Sequence, residues 1–237
     1  FYALISGGWQ GVGIREGRVR AVGPFAHAIL LGSFAATSMI LLIPLWYRYR
    51  RWMILGSAAC VVTVFFSASS GPIMTLLFGL FGVALWHWRS RVGTIRNLII
   101  LGFIGLHLMM KAPVWFLMAK IDLAGGSTGW HRAELISAAL NHLSEWWLVG
   151  TDYTRQWMPY GVQWSENHID ITNHYLSMGV SGGLLLMLCF IAILIKAFQL
   201  LGRAMRLMRL TNDPEEFILW CVGAALFAHA FTFISVS

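Results

Sequence analysis

The sequence predicts an all-α fold: a polytopic transmembrane helix bundle with one long external loop that holds an amphipathic helix. Three observations predict it. Of 237 residues, 58% are hydrophobic and only 11% are charged, less than half the soluble norm of about 25%. The apolar residues gather in runs near the roughly 20 residues that a helix needs to cross a hydrocarbon core. These runs are too long and too uniformly apolar for strands, and Lys and Arg cluster in the short turns between them.

In order, the spans are Pro24 to Tyr47, Trp52 to about Ser67, Pro72 to Trp88, and Ile95 to Met110. Lys111 to Pro113 ends or kinks the fourth, because proline removes a backbone donor and clashes one turn back. After the long loop come Asn173 to Leu201, with Gly179, Gly182 and Gly183 as a small face for close helix packing, and a last run beginning at Phe217. Trp115 is placed as an interfacial anchor, in keeping with the many aromatic residues. Ser67 to Pro72 reads as a tight turn of small residues, or as a hydrogen-bonding floor for a polar ligand. No repeat is evident. The three cysteines, Cys60, Cys189 and Cys221, lie in apolar runs and read as small buried hydrophobes. The chain starts without Met and stops at Ser237 in an apolar run, so residues 1–237 are expected to be one transmembrane domain, an internal piece of a longer protein.

Orientation follows from the excess of Lys and Arg on cytoplasmic turns. Three basic clusters, Arg48 to Arg51, Arg89 to Arg96 and Lys196 to Arg209, are separated by even numbers of spans and fall on one side. That side carries ten basic and three acidic residues, against seven and seven on the other. The formal charge of +7 therefore reports membrane topology, not a nucleic-acid partner. Arg15, Arg18 and Arg20 break the pattern, since one crossing puts them outside. They bind lipid phosphates or Glu16, or else an anionic ligand.

The external loop, residues 111–172, holds most of the groups able to do chemistry. Neither glycine-rich run, 11–17 or 125–129, has the spacing of a nucleotide site. From His131 to Trp147 the pattern is helical, with Leu135, Ile136, Ala139, Leu140, Leu143, Trp146 and Trp147 as one apolar stripe and Glu134, Asn141 and Glu145 opposite. Arg132 lies in the first turn at the end of that stripe. There it either snorkels toward water or binds a diphosphate or carboxylate at the helix N-terminus. Between Gly150 and Asp170, Asp152, Arg155, Glu166, His168 and Asp170 alternate with Tyr153, Trp157, Tyr160 and Trp164. Rings facing apolar sugar faces and carboxylates taking hydroxyl protons suit a saccharide. A zinc site from His168, Asp170 and His174 matches no known ligand spacing. Thr172 and Asn173 read as a helix N-cap.

Taken together, Arg20 to His27, Ser69 to Pro72, Arg132 through Trp146 to Gly150, and Thr172 to Leu176 with Gly183 resemble the O-antigen ligase and O-antigen polymerase superfamily. The resemblance implies a glycosyltransferase on the outer face of the bacterial inner membrane. Its donor is an undecaprenyl-diphosphate-linked glycan and its acceptor a lipid or glycan hydroxyl, with no metal, nucleotide or nucleic acid required. Ligases pass the glycan to lipid A-core, and polymerases to another lipid-linked repeat. The diphosphate arginines correspond here to Arg132 and to Arg20, or Arg18. The family's His-Asn pair falls on Thr172 and Asn173, so the usual base is replaced, and Asp170, His174 and His168 are the nearby candidates. A transporter or flippase of anionic lipid-linked glycans is the alternative. The scarcity of charge within the spans and its concentration in the loop favour surface catalysis.

Overall fold

The computed structural model describes residues 14–15, 18–25, 27–120, 128–162, 165–211 and 213–234; of these, the side chains of residues 14, 15, 18, 19, 118, 120 and 128 lie outside the description. The fold is all-α, apart from a hairpin of two-residue strands, β1 (Ile14–Arg15) and β2 (Arg18–Val19), antiparallel with Arg15 opposite Arg18. Three helical stretches, Ala28–Phe66, Ser70–Met109 and His174–Leu210, are long and apolar enough to cross a membrane. The chain divides into two compact units. One is built from residues up to Trp86 with Leu201–Thr232, the other from His87–Leu200 with Phe233 onward.

In the first unit, α1 (Ala28–Leu42) runs through a 3-10 turn at Ile43–Leu45 into α2 (Trp46–Phe66). Pro44 opens the reversal, and Tyr49, at φ −135° and ψ 48°, bends α2 inside the basic cluster. The two helices then pack side by side: Ala35 and Ala36 share a small core with Val64. The expected Ser67 to Pro72 turn forms between α2 and α3 (Ser70–Ala84). Ala68 takes φ +44° there, and the buried Ser67 hydroxyl donates to the Val64 carbonyl at 2.7 Å.

Helix α9 (Glu216–Thr232) packs against α3 and α1. Small residues set the spacing. A Cβ on Gly79 would stand 2.6 Å from Ile40, and one on Gly82 3.0 Å from Ala224, the close approach that apolar solvent makes necessary for helix association. Polar pairs bridge the same seams. Thr37 meets His229 at 2.7 Å, Thr75 meets Thr232 at 2.9 Å, and Trp220 Nε1 donates to the Gly82 carbonyl at 2.9 Å. The turn before α9 is held by Arg209, whose guanidinium reaches the buried Glu216 carboxylate at 2.6 Å.

In the second unit, α4 (Val92–Met109) ends where the sequence places the break: Met110 turns extended and Pro113 follows. None of its residues is buried among the described residues. A 3-10 turn at Val114–Phe116 and the short α5 (Leu117–Lys120) come next. Trp115 is fixed on two sides: its Nε1 donates to Ser137 Oγ at 3.0 Å and its ring lies against His107.

The amphipathic helix is shorter than its pattern. Helix α6 (Thr128–Asn141) stops, His142 leaves helical geometry at φ −101° and ψ 22°, and one turn, α7 (Leu143–Trp146), follows. The predicted stripe therefore splits. Leu135, Ala139 and Trp146 are buried and Leu140 is exposed, while past the break Leu143 and Trp147 are exposed, because the register of α6 does not carry past Asn141. The core of this unit joins Leu135, Ala138, Ala139 and Trp146 to Trp157, Met158 and Ile169 of the following loop and to Leu176 and Val180.

Leu176 and Val180 belong to α8 (His174–Leu210), which is broken near its start. Gly182 and Gly183 leave helical geometry, Gly183 with φ +76°. The three glycines were expected to receive a neighbouring helix. What they receive is the loop. Trp146 packs on Gly179, and the segment after it enters the break. The Val180 carbonyl accepts from Thr151 N at 2.9 Å, and Leu184 N donates to the Trp147 carbonyl at 2.8 Å. The loop backbone thus supplies partners that an unbroken helix would supply itself, which makes irregular backbone tolerable at such a place. The eight residues ahead of the break belong to the folded loop. The stretch from Leu184 to Leu210 is about 40 Å of helix, enough to cross a hydrocarbon core of about 30 Å.

Candidate functional site

The loop after α7 is tied into a strap by backbone bonds. Thr154 N and Arg155 N both donate to the Asn167 carbonyl, at 2.9 and 3.0 Å. The fully buried Thr154 hydroxyl accepts from Ile169 N at 3.1 Å, and Asp170 N donates to the Val162 carbonyl at 2.8 Å. Ile169, pinned in the core, fixes where Asp170 leaves the strap. His131, in the first turns of α6, then meets it, with Nε2 3.3 Å from the Asp170 carbonyl oxygen. A carbonyl only accepts, so Nε2 carries the proton. The contact sets Asp170 beside the start of the helix on which Arg132 is the next residue. Arg132 is half-buried there.

His168 lies on the same strap, in a small turn where its N–H donates to Ser165 Oγ at 3.2 Å and its carbonyl accepts from Ser165 N. His174 lies elsewhere in the unit. It opens α8, its N–H donates to the Phe233 carbonyl at 2.8 Å, and its ring stands about 5 Å from those of Phe190 and Phe233. No hydrogen bond joins His168, Asp170 and His174 to one another among the described residues. Nor do three His, Cys, Asp or Glu side chains there stand close enough to hold a metal ion. Asn173 caps α8 as its position predicts, its Oδ1 accepting from Leu176 N at 3.1 Å. Thr172, at the place of the expected base, has its hydroxyl buried with no hydrogen-bond partner among the described residues.

Arg20 belongs to the first unit. Its Nε donates to the Ser67 carbonyl at 3.0 Å, and the next residue, Ala21, donates to the Phe66 carbonyl at 3.0 Å. The small-residue turn is thus the floor under Arg20. The backbone of Arg18 is in β2, and its side chain lies outside the description. Glu16, Trp164 and all or part of both glycine-rich runs lie outside it as well.

Two features escape the sequence pattern. Glu145, read as one residue of a solvated face, accepts from Gln156 Nε2 at 3.0 Å and from Trp157 Nε1 at 2.9 Å, and the His142 ring stacks on Trp157. The second is an open cavity of about 420 Å³ beside this network, lined by Tyr153, Arg155, Gln156, Pro159 and Asn167. The alternation of aromatic and polar residues from Tyr153 to Asn167 is its only trace in the sequence.

No protein family, no curated protein and no solved structure matches the chain.

Proposed function

We propose that the chain is part of a membrane glycosyltransferase of the O-antigen ligase or polymerase type. It would move a glycan from an undecaprenyl-diphosphate carrier to an acceptor hydroxyl at the external face of a bacterial inner membrane. The observation that carries the reading is the meeting of the strap with the start of α6: His131 holds the Asp170 carbonyl next to Arg132. A potential base and a potential anion-binding group thereby share one short stretch of folded loop, next to apolar helices.

In this reading the candidates for binding the diphosphate are Arg132 of the second unit and Arg20 of the first, with Arg18 assisting. Guanidinium forks match its oxygens bidentately and keep their charge at any working pH. The acceptor oxygen bonds to the anomeric carbon as the bond from that carbon to the phosphate oxygen breaks. The lipid diphosphate leaves with the bonding pair, and charge growing on it is stabilised by about 3 kcal/mol per well-placed donor. Asp170 takes the acceptor proton, with His168 and His174 as the other candidate bases. The transporter reading draws less support. The polar groups seen within the helices of the first unit, Thr37 with His229 and Thr75 with Thr232, are engaged with each other.

The test is glycan transfer in cells lacking the native gene, with full-length protein at equal abundance. Arg132→Lys keeps the charge and loses the fork, so transfer should fall at least about 100-fold, and Arg20→Lys should fall with it. Normal transfer by both variants would end the diphosphate assignment and leave these arginines as lipid-headgroup contacts.

A further inference from the structure

We infer that the cavity beside the strap is a binding subsite for an acidic saccharide, one bearing a carboxylate on its ring. Its lining carries one cation and no carboxylate: Tyr153, Arg155, Gln156, Pro159 and Asn167. Arg155 is held from behind. Its two terminal nitrogens donate to the carbonyls of Gly161 at 3.1 Å and Pro159 at 2.9 Å. Those bonds take two of its five N–H donors and fix the plane of the guanidinium, and the other three have no partner among the described residues. A planar fork with donors to spare is matched by a carboxylate.

The other walls suit hydroxyl groups. Gln156 is anchored through Nε2 to Glu145, which leaves Oε1 as an acceptor. Asn167 supports the strap with its backbone carbonyl and leaves its side-chain amide, donor and acceptor both. A sugar hydroxyl donates and accepts at once, so such a mixture is what it needs. Tyr153, 63% exposed, offers a ring face to the apolar side of a pyranose. The volume falls within the range of about 300–1,000 Å³ usual for small-ligand sites.

The inference deepens the transferase reading and rests on it in one respect. Asn167 is three residues from Asp170, at most about 10 Å along the chain. A saccharide in the cavity therefore lies within reach of the base assigned there, and the subsite would select the sugar being joined.

The experiment uses the full chain in phosphatidylcholine nanodiscs and saturation-transfer NMR. The probes are the methyl glycosides of glucuronic and galacturonic acid, methyl glucoside, and inorganic phosphate. At least one uronide should receive saturation on its ring protons, at least about tenfold more tightly than the glucoside, and phosphate should not displace it. Tyr153→Ala and Arg155→Gln should each weaken it at least about tenfold, about 1.4 kcal/mol. Arg155→Gln also frees two loop carbonyls, so the exposed Tyr153→Ala and Asn167→Ala are the cleaner variants. Equal binding of glucoside and uronide, no uronide binding, displacement by phosphate, or a signal unmoved by Tyr153→Ala would overturn the subsite. If Arg132→Lys abolishes transfer while no uronide binds, the subsite fails and the transferase reading stands. If a uronide binds as described and the wild type transfers no glycan, the subsite stands alone.

Discussion

Gly150→Ala is the sharpest probe of how the loop is joined to α8. Gly150 has φ +88°, a conformation that side chains rarely adopt, and an added Cβ would stand 2.2 Å from the Val180 carbonyl oxygen, 2.9 Å from Ser181 C and 3.0 Å from Gly182 N. All three atoms are backbone, so no rotamer change relieves the clash. The strained φ costs about 1–3 kcal/mol. Moving the segments apart also loses the bond from Thr151 N to the Val180 carbonyl, about 1 kcal/mol net or more where the groups stay buried. The expected destabilisation is about 2–4 kcal/mol, and more where the separated groups stay buried. Gly202→Ala, at an open helical position with nothing within 4 Å, should be neutral or stabilising by up to about 1 kcal/mol. Gly183→Ala strikes the same joint from the other side, with its Cβ 2.3 Å from the Leu148 carbonyl oxygen. The double variant should cost less than the two singles together, because one separation relieves both clashes. Unfolding free energies from denaturant titration in mixed micelles, followed by tryptophan fluorescence, measure this. A Gly150→Ala protein within about 1 kcal/mol of wild type, or a Gly202→Ala protein equally damaged, would refute the inserted-loop account.

Other outcomes follow from the same structure. With the three native cysteines replaced, Tyr160→Cys should react with an impermeant thiol reagent from outside and Leu210→Cys should not; the reverse pattern would invert the orientation. Asp170→Asn should lower glycan transfer by about 100-fold or more. His174→Phe preserves the ring packing on Phe190 and Phe233, so its rate separates a base from a packing residue, and full activity would remove His174 from the candidates. Arg209→Ala removes the ion pair and hydrogen bonds that Arg209 makes to the buried Glu216 carboxylate and should destabilise the first unit by about 1–3 kcal/mol, below the roughly 3–5 kcal/mol of a fully buried pair because Arg209 is 41% exposed; an unchanged unfolding transition would contradict this.

What could be read from the chain alone divides along a physical line. The helices, the stop at Pro113 and the Asn173 cap were legible, because each depends on a few neighbouring residues: a long apolar run, a missing donor, a short acceptor side chain. The stripe from Leu135 to Trp147 was legible only in its first half, since a 3.6 period says nothing about where a helix will stop. His142 ends that period, and Leu143 and Trp147 face outward as a result. The hardest feature was the Gly179 to Gly183 cluster. Small residues permit close approach, and composition does not say whether the visitor is another helix or an extended strand. The two cases differ in where the carbonyls go, and that is decided 30 residues away at Gly150.

The broken start of α8 also bears on how the site is built. Leu176 and Val180 come from α8, yet both are buried in one core with α6 and the strap, and the Val180 carbonyl accepts from Thr151 N. The strap that carries Asp170 is therefore bonded to the helix at both ends, at Thr151 through Val180 and at Asn173 by the cap. A loop joined only by its termini would lose its geometry to chain entropy, at roughly 1–2 kcal/mol for each residue ordered. Here the core around Trp146 and Ile169 and the two backbone junctions offset that loss. The glycine break is the feature that makes the junction possible, because an intact helix would have no carbonyl at Val180 to offer. It follows that substitutions at Gly150 or Gly183 should disturb the setting of Asp170 and Arg132 as well as the stability of the fold.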